Sequence, residues 1–146
     1  MGFKNMKRLI FLVTLLAGFN LTAVCDSSMA YAEPQNKVIA YYFHGNMRCP
    51  TCHKMEEYAK ETIDVNFASE LSSGKLAFKV VNVEKKENEH FVNEYQLYTK
   101  SLIVSLVKGG KEVKSKNLTK IWEYVRNKNT YSDYVNNEIA TFLKEL

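Results

Sequence analysis

The chain has 146 residues, a formal net charge of +4, and 20 basic against 16 acidic side chains. Lysine and glutamate are interspersed along it, so the sequence lacks the clustered basic face that nucleic-acid-binding proteins present. A hydrophobic fraction of 46% is that of a globular protein, and the length allows one domain with one core.

The first 32 residues have the pattern of a secretory signal peptide. Residues 1–8 carry three basic side chains and no acid, residues 9–24 form an apolar run, and residues 30–32 read Ala-Tyr-Ala. The run of 16 residues is shorter than the roughly 20 that a membrane-spanning helix needs. We therefore expect residues 1–32 to be cleaved and residues 33–146 to be exported to the periplasm or another extracytoplasmic location.

Two routes to a membrane stay open, and one of them depends on Cys25. A cysteine after an apolar run can carry the lipid of a bacterial lipoprotein, but the preceding Leu21-Thr22-Ala23-Val24 fits that pattern poorly. Loss of Cys25 with the signal peptide is therefore favoured. Membrane association is expected only if Cys25 is lipidated or the signal peptide is retained.

The first half of residues 33–146 predicts a strand, a helix and a second strand. Val38–His44 is a short apolar and β-branched run, typical of a strand buried on both faces. From Pro50 onward apolar residues recur every four positions, and Ser72-Ser73-Gly74 ends this helix after a predicted kink at Asp64–Asn66. Leu76–Val83 is the second strand, parallel to the first through a right-handed crossover.

The second half predicts two more strands and three helices. Asn88 is expected to cap a helix, Leu102–Val107 is a strand, and paired glycines lead into an edge strand at Glu112–Lys116. A short helix precedes the last one, which a capping box of Thr130 and Asp133 opens. The helix that follows Asn88 has a predicted inner face of Phe91, Tyr95 and Tyr98. The short helix carries Leu118, Ile121, Trp122 and Val125. The apolar stripe of the last helix is Tyr131, Val135, Ile139, Phe142 and Leu146. The order β-α-β-α-β-β-α, with an additional helix before the C-terminal one, predicts an α/β fold with a central mixed sheet flanked by helices.

Two of the three cysteines stand in one motif, Cys49-Pro50-Thr51-Cys52. A disulfide between them closes so short a loop that it adds little stability, so chemistry explains the pair better. Cys49 falls at the N-terminus of the predicted helix, where free N–H groups and the helix dipole favour a thiolate. Together with the charge of Arg48, this predicts a thiol pKa lowered from roughly 8.5 into the range of roughly 3.5–7.5. We therefore expect a thiol–disulfide oxidoreductase in which Cys49 is the nucleophile and Cys52 resolves the mixed disulfide.

Two other functions use the same motif. With His53 the motif reads C-x-x-C-H, the attachment signature of c-type haem, for which His90 is the only distant axial ligand we find. His44, Met47, Cys49, Cys52 and His53 also crowd into ten residues, as the ligands of a Cu(I) or zinc site would. A redox-inert adaptor is a third hypothesis. We expect the redox pair, with no bound cofactor or metal.

Several segments resemble a family of small exported bacterial proteins described as nitrophenyl compound nitroreductase subunits, within the thioredoxin-like superfamily. They are Tyr41–Gly45 with Arg48–Cys52, Tyr95–Leu102, Lys116–Leu118 and Ile121–Glu123. The resemblance implies a thioredoxin-like fold with Cys49 and Cys52 as the redox pair. It does not imply nitro reduction, because we find no flavin or nicotinamide motif. A thiol- or disulfide-bearing protein or a membrane electron donor is the expected partner.

The chain departs from ordinary thioredoxins at two places that the resemblance makes important. Those proteins have a cis-proline before the third strand, where this chain has Lys100-Ser101. They also carry a buried acid in the strand before the motif, where this chain has Tyr42 or Phe43. Substrate docking and proton transfer are therefore expected to use other residues.

Overall fold

The computed structural model describes residues 35–146, so the predicted signal peptide over residues 1–32, the domain start at residue 33, and Cys25 lie outside the described residues. The elements are, in chain order, β1 (Lys37–His44), α1 (Pro50–Asn66), α2 (Ala68–Ser72), β2 (Leu76–Asn82), α3 (His90–Glu94), β3 (Ser101–Lys108), β4 (Lys111–Asn117), α4 (Ile121–Tyr124) and α5 (Lys128–Leu143). Within residues 35–146, no helix combines the length and apolarity that crossing a membrane requires.

The four strands form one mixed sheet in the order β2-β1-β3-β4. β1 runs parallel to β2, and β3 runs antiparallel to both β1 and β4. Gly109 and Gly110, with φ of 58° and 76°, make the tight turn between β3 and β4. The α/β class and the thioredoxin-like arrangement predicted from the sequence are confirmed by this sheet.

One face of the sheet carries the larger core, packed against α1 and α5. Val38, Ala40 and Tyr42 of β1 point to this side and are all 0% exposed. The helices bury Met55, Ala59, Ile63, Tyr131, Val135, Ile139 and Phe142 against them. The stripe predicted for the last helix is confirmed through Phe142, whereas Leu146 lies beyond the helix end and packs half-buried against the core.

The opposite face has a smaller aromatic cluster under the short helix α3. Phe43 and Ile103 pack there with Leu97, which is buried, while Tyr98 is 93% exposed. The predicted inner position of Tyr98 is therefore wrong. Gln96 adopts a φ of 50°, which turns the chain just after the helix and brings Leu97 inward instead of its neighbour.

Three predicted helix boundaries also differ from the structure. The kink expected at Asp64–Asn66 is a complete break at Phe67, a buried residue with φ of −130°. Asn88 does not cap α3, because it lies in a 3₁₀ turn and its side-chain amide donates to the Asn82 carbonyl. Thr130 does not cap the last helix, because extended Asn127 begins that helix three residues earlier.

The corrected cap of α5 can be tested by stability. Asn127→Ala removes the side-chain oxygen that accepts from the Thr130 N–H, so we expect a loss of about 1 kcal/mol in the free energy of unfolding. Thr130→Ala keeps that N–H and should cost less than about 0.5 kcal/mol. Urea denaturation measures both. An equal or larger loss for Thr130→Ala would contradict the assignment.

Candidate functional site

The loop that carries the cysteine motif begins at the C-terminal end of β1, in the middle of the sheet. Its start is fixed against β2, because the Val83 N–H donates to the His44 carbonyl and the Asn82 amide donates to Asn46 Oδ1 at 2.7 Å. At Gly45 an added Cβ would collide with the Glu84 carboxylate, so the loop passes close to that side chain. These contacts fix the position of the loop that leads from β1 to Cys49.

Cys49 is the N-cap residue of α1. Its backbone is extended, with φ of −85° and ψ of 164°, and its Sγ accepts the backbone N–H of Cys52 at 3.3 Å. Pro50 follows at the first helical position, where its missing N–H costs nothing. The sulfur therefore occupies the place of the usual N-cap oxygen, at the positive end of the helix dipole.

The two sulfurs have different environments, although they are separated by a single helical turn. Cys49 is exposed, Cys52 is only 2% exposed, and both are free thiols. The pKa of Cys49 is lowered, first by the hydrogen bond from the Cys52 thiol and then by the Cys52 backbone N–H. Burial raises the pKa of the Cys52 thiol. The accessible cysteine is thus the easier one to ionise, as a nucleophile requires.

Arg48 does not act on Cys49 as predicted. Its guanidinium turns along the helix and forms an ion pair with Glu56, one turn beyond Cys52. The lowered pKa of Cys49 comes from the Cys52 hydrogen bonds, so the neighbouring cation is not its main cause. The sequence placed Arg48 beside the nucleophile but did not reveal the carboxylate that attracts it.

Two buried tyrosines contact the backbone of α1 close to the motif. Tyr42 of β1 donates its hydroxyl to the Cys52 carbonyl, and Tyr131 of α5 donates to the Met55 carbonyl, each at 2.7 Å. Burial is the largest cause of the raised pKa of both phenols. The sequence predicts Tyr131 only as a member of the apolar stripe of α5. The available signal was a hydroxyl within an apolar stripe, because a buried phenol needs a hydrogen-bond acceptor.

The loop before β3 lies beside the motif at the same edge of the sheet, since Ser101 pairs with Phe43. The Trp122 indole N–H donates to the Lys100 carbonyl at 3.1 Å and ties this loop to α4. The Lys100 ammonium opposes the burial effect by lowering the pKa of Cys52. The hydrogen bond from Trp122 thus restrains the backbone of the loop that carries Lys100.

The histidines of the haem and metal hypotheses are dispersed. His44 is half-buried with Nδ1 2.9 Å from the Gly45 carbonyl oxygen, whereas His53 and His90 are exposed. In the part of the chain that the structure describes, no group of three or more His, Cys, Asp or Glu side chains could hold a metal ion.

Two of the cavities along residues 35–146 are lined in part by β1, the strand that leads to the motif. One of about 140 Å³ adjoins the motif loop and is lined by His44, Glu84 and Lys100, among others. The other, of about 430 Å³, lies on the far face of the sheet between Tyr41, Tyr95 and Glu112. Neither is lined by Cys49 or Cys52. Cys49 therefore stands on the open surface and not inside either cavity.

No protein-family model and no curated protein matches this sequence. Among solved structures, the chain is similar to one titled "Structure of a malarial protein", with 14% identity over 64% of this chain and 97% of that chain, at a TM-score of 0.39. The thioredoxin of Fasciola hepatica is 22% identical over 62% and 79% of the chains, with a TM-score of 0.36. That of Thermus thermophilus is 18% identical over 62% and 72%, with a TM-score of 0.38. None of these three concerns the nitrophenyl compound nitroreductase subunits, so that resemblance stays a prediction, and the chemistry has to be inferred from the site's own geometry.

The origin of the lowered pKa of Cys49 can be tested by removing its principal donor. Cys52→Ala deletes the thiol but keeps the backbone N–H, so the pH midpoint for alkylation of Cys49 should rise. Cys52→Ser restores a side-chain donor and should give a midpoint below that of Cys52→Ala. Iodoacetamide rates across pH, on a Cys25→Ala background, measure both. Identical midpoints in the two variants would show that the side-chain donor is unimportant.

Proposed function

We propose that this protein is an exported thiol–disulfide oxidoreductase or electron-relay protein that uses Cys49 and Cys52 as its redox pair. The observation that carries the proposal is the pairing of an exposed N-cap sulfur, which accepts the Cys52 N–H, with a buried second thiol one turn later. This arrangement favours a thiolate at the surface and keeps its partner sulfur close by. Export is supported by the signal-peptide pattern of residues 1–32.

The chemistry is two successive disulfide exchanges. The Cys49 thiolate attacks one sulfur of a partner's disulfide, forms a mixed disulfide, and releases the partner's other sulfur as a thiolate. Cys52 then loses its proton and attacks Cys49 Sγ, which forms the Cys49–Cys52 disulfide and releases the first partner sulfur. The partner gains two electrons and two protons, and the protein loses them. Every step is reversible, so the same residues also oxidise a dithiol.

The surface around Cys49 suits a protein partner better than a small molecule. Met47 and Tyr98 are 85% and 93% exposed, and Trp122 is 40% exposed beside the Lys100 loop. Exposed large apolar side chains of this kind gain free energy when a partner covers them. A disulfide-bearing polypeptide, or the extracytoplasmic segment of a membrane electron donor, could make such contacts while its sulfur reaches Cys49.

The redox pair is tested by equilibrating the purified protein against glutathione buffers and counting thiols by alkylation, on a Cys25→Ala background. We expect one two-electron transition that fits a single midpoint potential. Cys49→Ser should abolish disulfide exchange with a protein substrate, because it removes the nucleophile. A thiol pair that never titrates because metal or haem occupies it would instead support a binding protein using Cys49, Cys52 and His53. Undiminished function of the Cys49→Ser/Cys52→Ser double variant would support a redox-inert adaptor.

The docking surface makes a separate prediction. Tyr98→Ala should raise the KM for a disulfide-bonded protein substrate by about fivefold to tenfold, equivalent to about 1 kcal/mol or more of lost contact. Its reaction with the small disulfide 5,5′-dithiobis(2-nitrobenzoate) should stay unchanged, because that reagent needs no docking surface. Val113→Ala is the matched control, since Val113 is 57% exposed but lies on the edge strand β4. A rise in KM as large for Val113→Ala would contradict a specific surface.

A further inference from the structure

Tyr42 and Tyr131 form a matched pair of contacts on α1. Both side chains are 0% exposed, and both donate to a helix carbonyl at 2.7 Å, Tyr42 to Cys52 and Tyr131 to Met55. They come from different elements of the same core, since Tyr42 lies on β1 and Tyr131 on α5. The two bonds differ in one respect that bears on chemistry, because only the first falls on a cysteine of the redox pair.

The bond from Tyr42 is not needed to satisfy the Cys52 carbonyl. In an α-helix that carbonyl accepts the N–H four residues later, which here belongs to Glu56. The tyrosine adds a further donor, and a phenylalanine would fill nearly the same volume without bringing a hydroxyl into the core. The extra bond therefore restrains the position of the Cys52 peptide relative to β1.

Both backbone polar groups of Cys52 are consequently engaged around the site. Its N–H donates to Cys49 Sγ, and its C=O accepts from Tyr42. One residue thus links the nucleophilic sulfur on the surface to a phenol in the core. A shift of the Cys52 backbone changes both the donor to Cys49 and the path by which Cys52 Sγ reaches Cys49 Sγ.

We propose that Tyr42 is a positioning residue for Cys52. The Tyr42 hydroxyl holds the backbone of this resolving cysteine, so that Cys52 Sγ stays within reach of Cys49 Sγ. This inference rests on the proposed redox function. Tyr42 does not touch the reacting sulfur atoms of a substrate, and it acts through the backbone of Cys52. Tyr131 holds the next part of the same helix and has no such role.

Burial, together with the negative groups near Tyr42, keeps its hydroxyl a donor throughout the reaction. Burial, the Cys52 thiolate and Glu56 raise the pKa of the phenol, and Arg48 opposes them. Burial is the largest cause of the raised pKa of Tyr131, and the neighbouring Tyr42 raises it further. The net direction is upward, so Tyr42 stays protonated when Cys52 ionises.

The resolving step can be followed alone on the Cys25→Ala protein. One equivalent of 5,5′-dithiobis(2-nitrobenzoate) joins thionitrobenzoate to Cys49, and attack by Cys52 then releases the coloured thiolate in a single turnover. Tyr42→Phe should slow that second release by about tenfold, because Cys52 is no longer held toward Cys49. Tyr131→Phe, the matched control, should stay within about twofold of the parent. The two variants should have similarly shifted urea midpoints, because each loses one buried hydrogen bond.

A second readout separates positioning from general loosening. Tyr42→Phe should raise the pH midpoint for alkylation of Cys49, because the Cys52 N–H is held less firmly against the sulfur, and Tyr131→Phe should not. Equal slowing in both variants, or no slowing in Tyr42→Phe, would overturn the role of Tyr42. A parent protein that never releases the second thiolate would instead overturn the redox pair itself, and with it this inference.

Discussion

The hydrogen bond from the Cys52 N–H to Cys49 Sγ is the contact around which the rest of the site is organised. It exists only if Cys49 is the N-cap of α1. Pro50 suits the first helical position, and the extended backbone of Cys49 lies just before it, so the helix begins at Pro50. The loop itself is fixed at the end of a strand buried in the middle of the sheet. The position of one sulfur atom is thus determined by the burial of β1 and by the packing of α1 on it.

This geometry makes two chemically identical side chains unequal. Cys49 is the N-cap residue with its side chain exposed to solvent, whereas Cys52 lies on the face of α1 that is buried together with Met55 and Ala59. Free N–H groups and dipole favour the charged form of a thiol, and burial opposes it. The opposite directions of the two pKa shifts therefore follow from the position of each sulfur along one helix.

The sequence was sufficient wherever a pattern depends on neighbours along the chain. Buried strands, the glycine turn at Gly109-Gly110, the apolar stripes of α1 and α5, and the motif at a strand–helix junction all follow from periodicity or local geometry. It was insufficient where two neighbouring residues could play the same local part and the folded structure decides between them. Asn127 and Thr130 are both reasonable caps of α5. Leu97 or Tyr98 can face inward, depending on the φ of Gln96, and Arg48 meets Glu56 only once α1 is folded. The missed contact of Tyr131 has the same origin, because its acceptor is 76 residues away in sequence.

Ionisation of Cys52 requires that its proton leave a buried thiol, and in residues 35–146 no buried carboxylate is present to accept it. Among residues 35–146 the buried polar side chains are Thr62, Ser101 and Ser105, and none of these is a carboxylate. Burial raises the pKa of the Cys52 thiol most, whereas a backbone hydrogen bond at Cys49 and then the Lys100 cation of the neighbouring loop lower it. In the redox cycle proposed above, a cation stabilises the Cys52 thiolate, whereas a carboxylate would accept its proton, so we expect the proton to pass to solvent or to the departing partner thiolate. The hydrogen bond from the Trp122 indole to the Lys100 carbonyl restrains the loop that carries this cation.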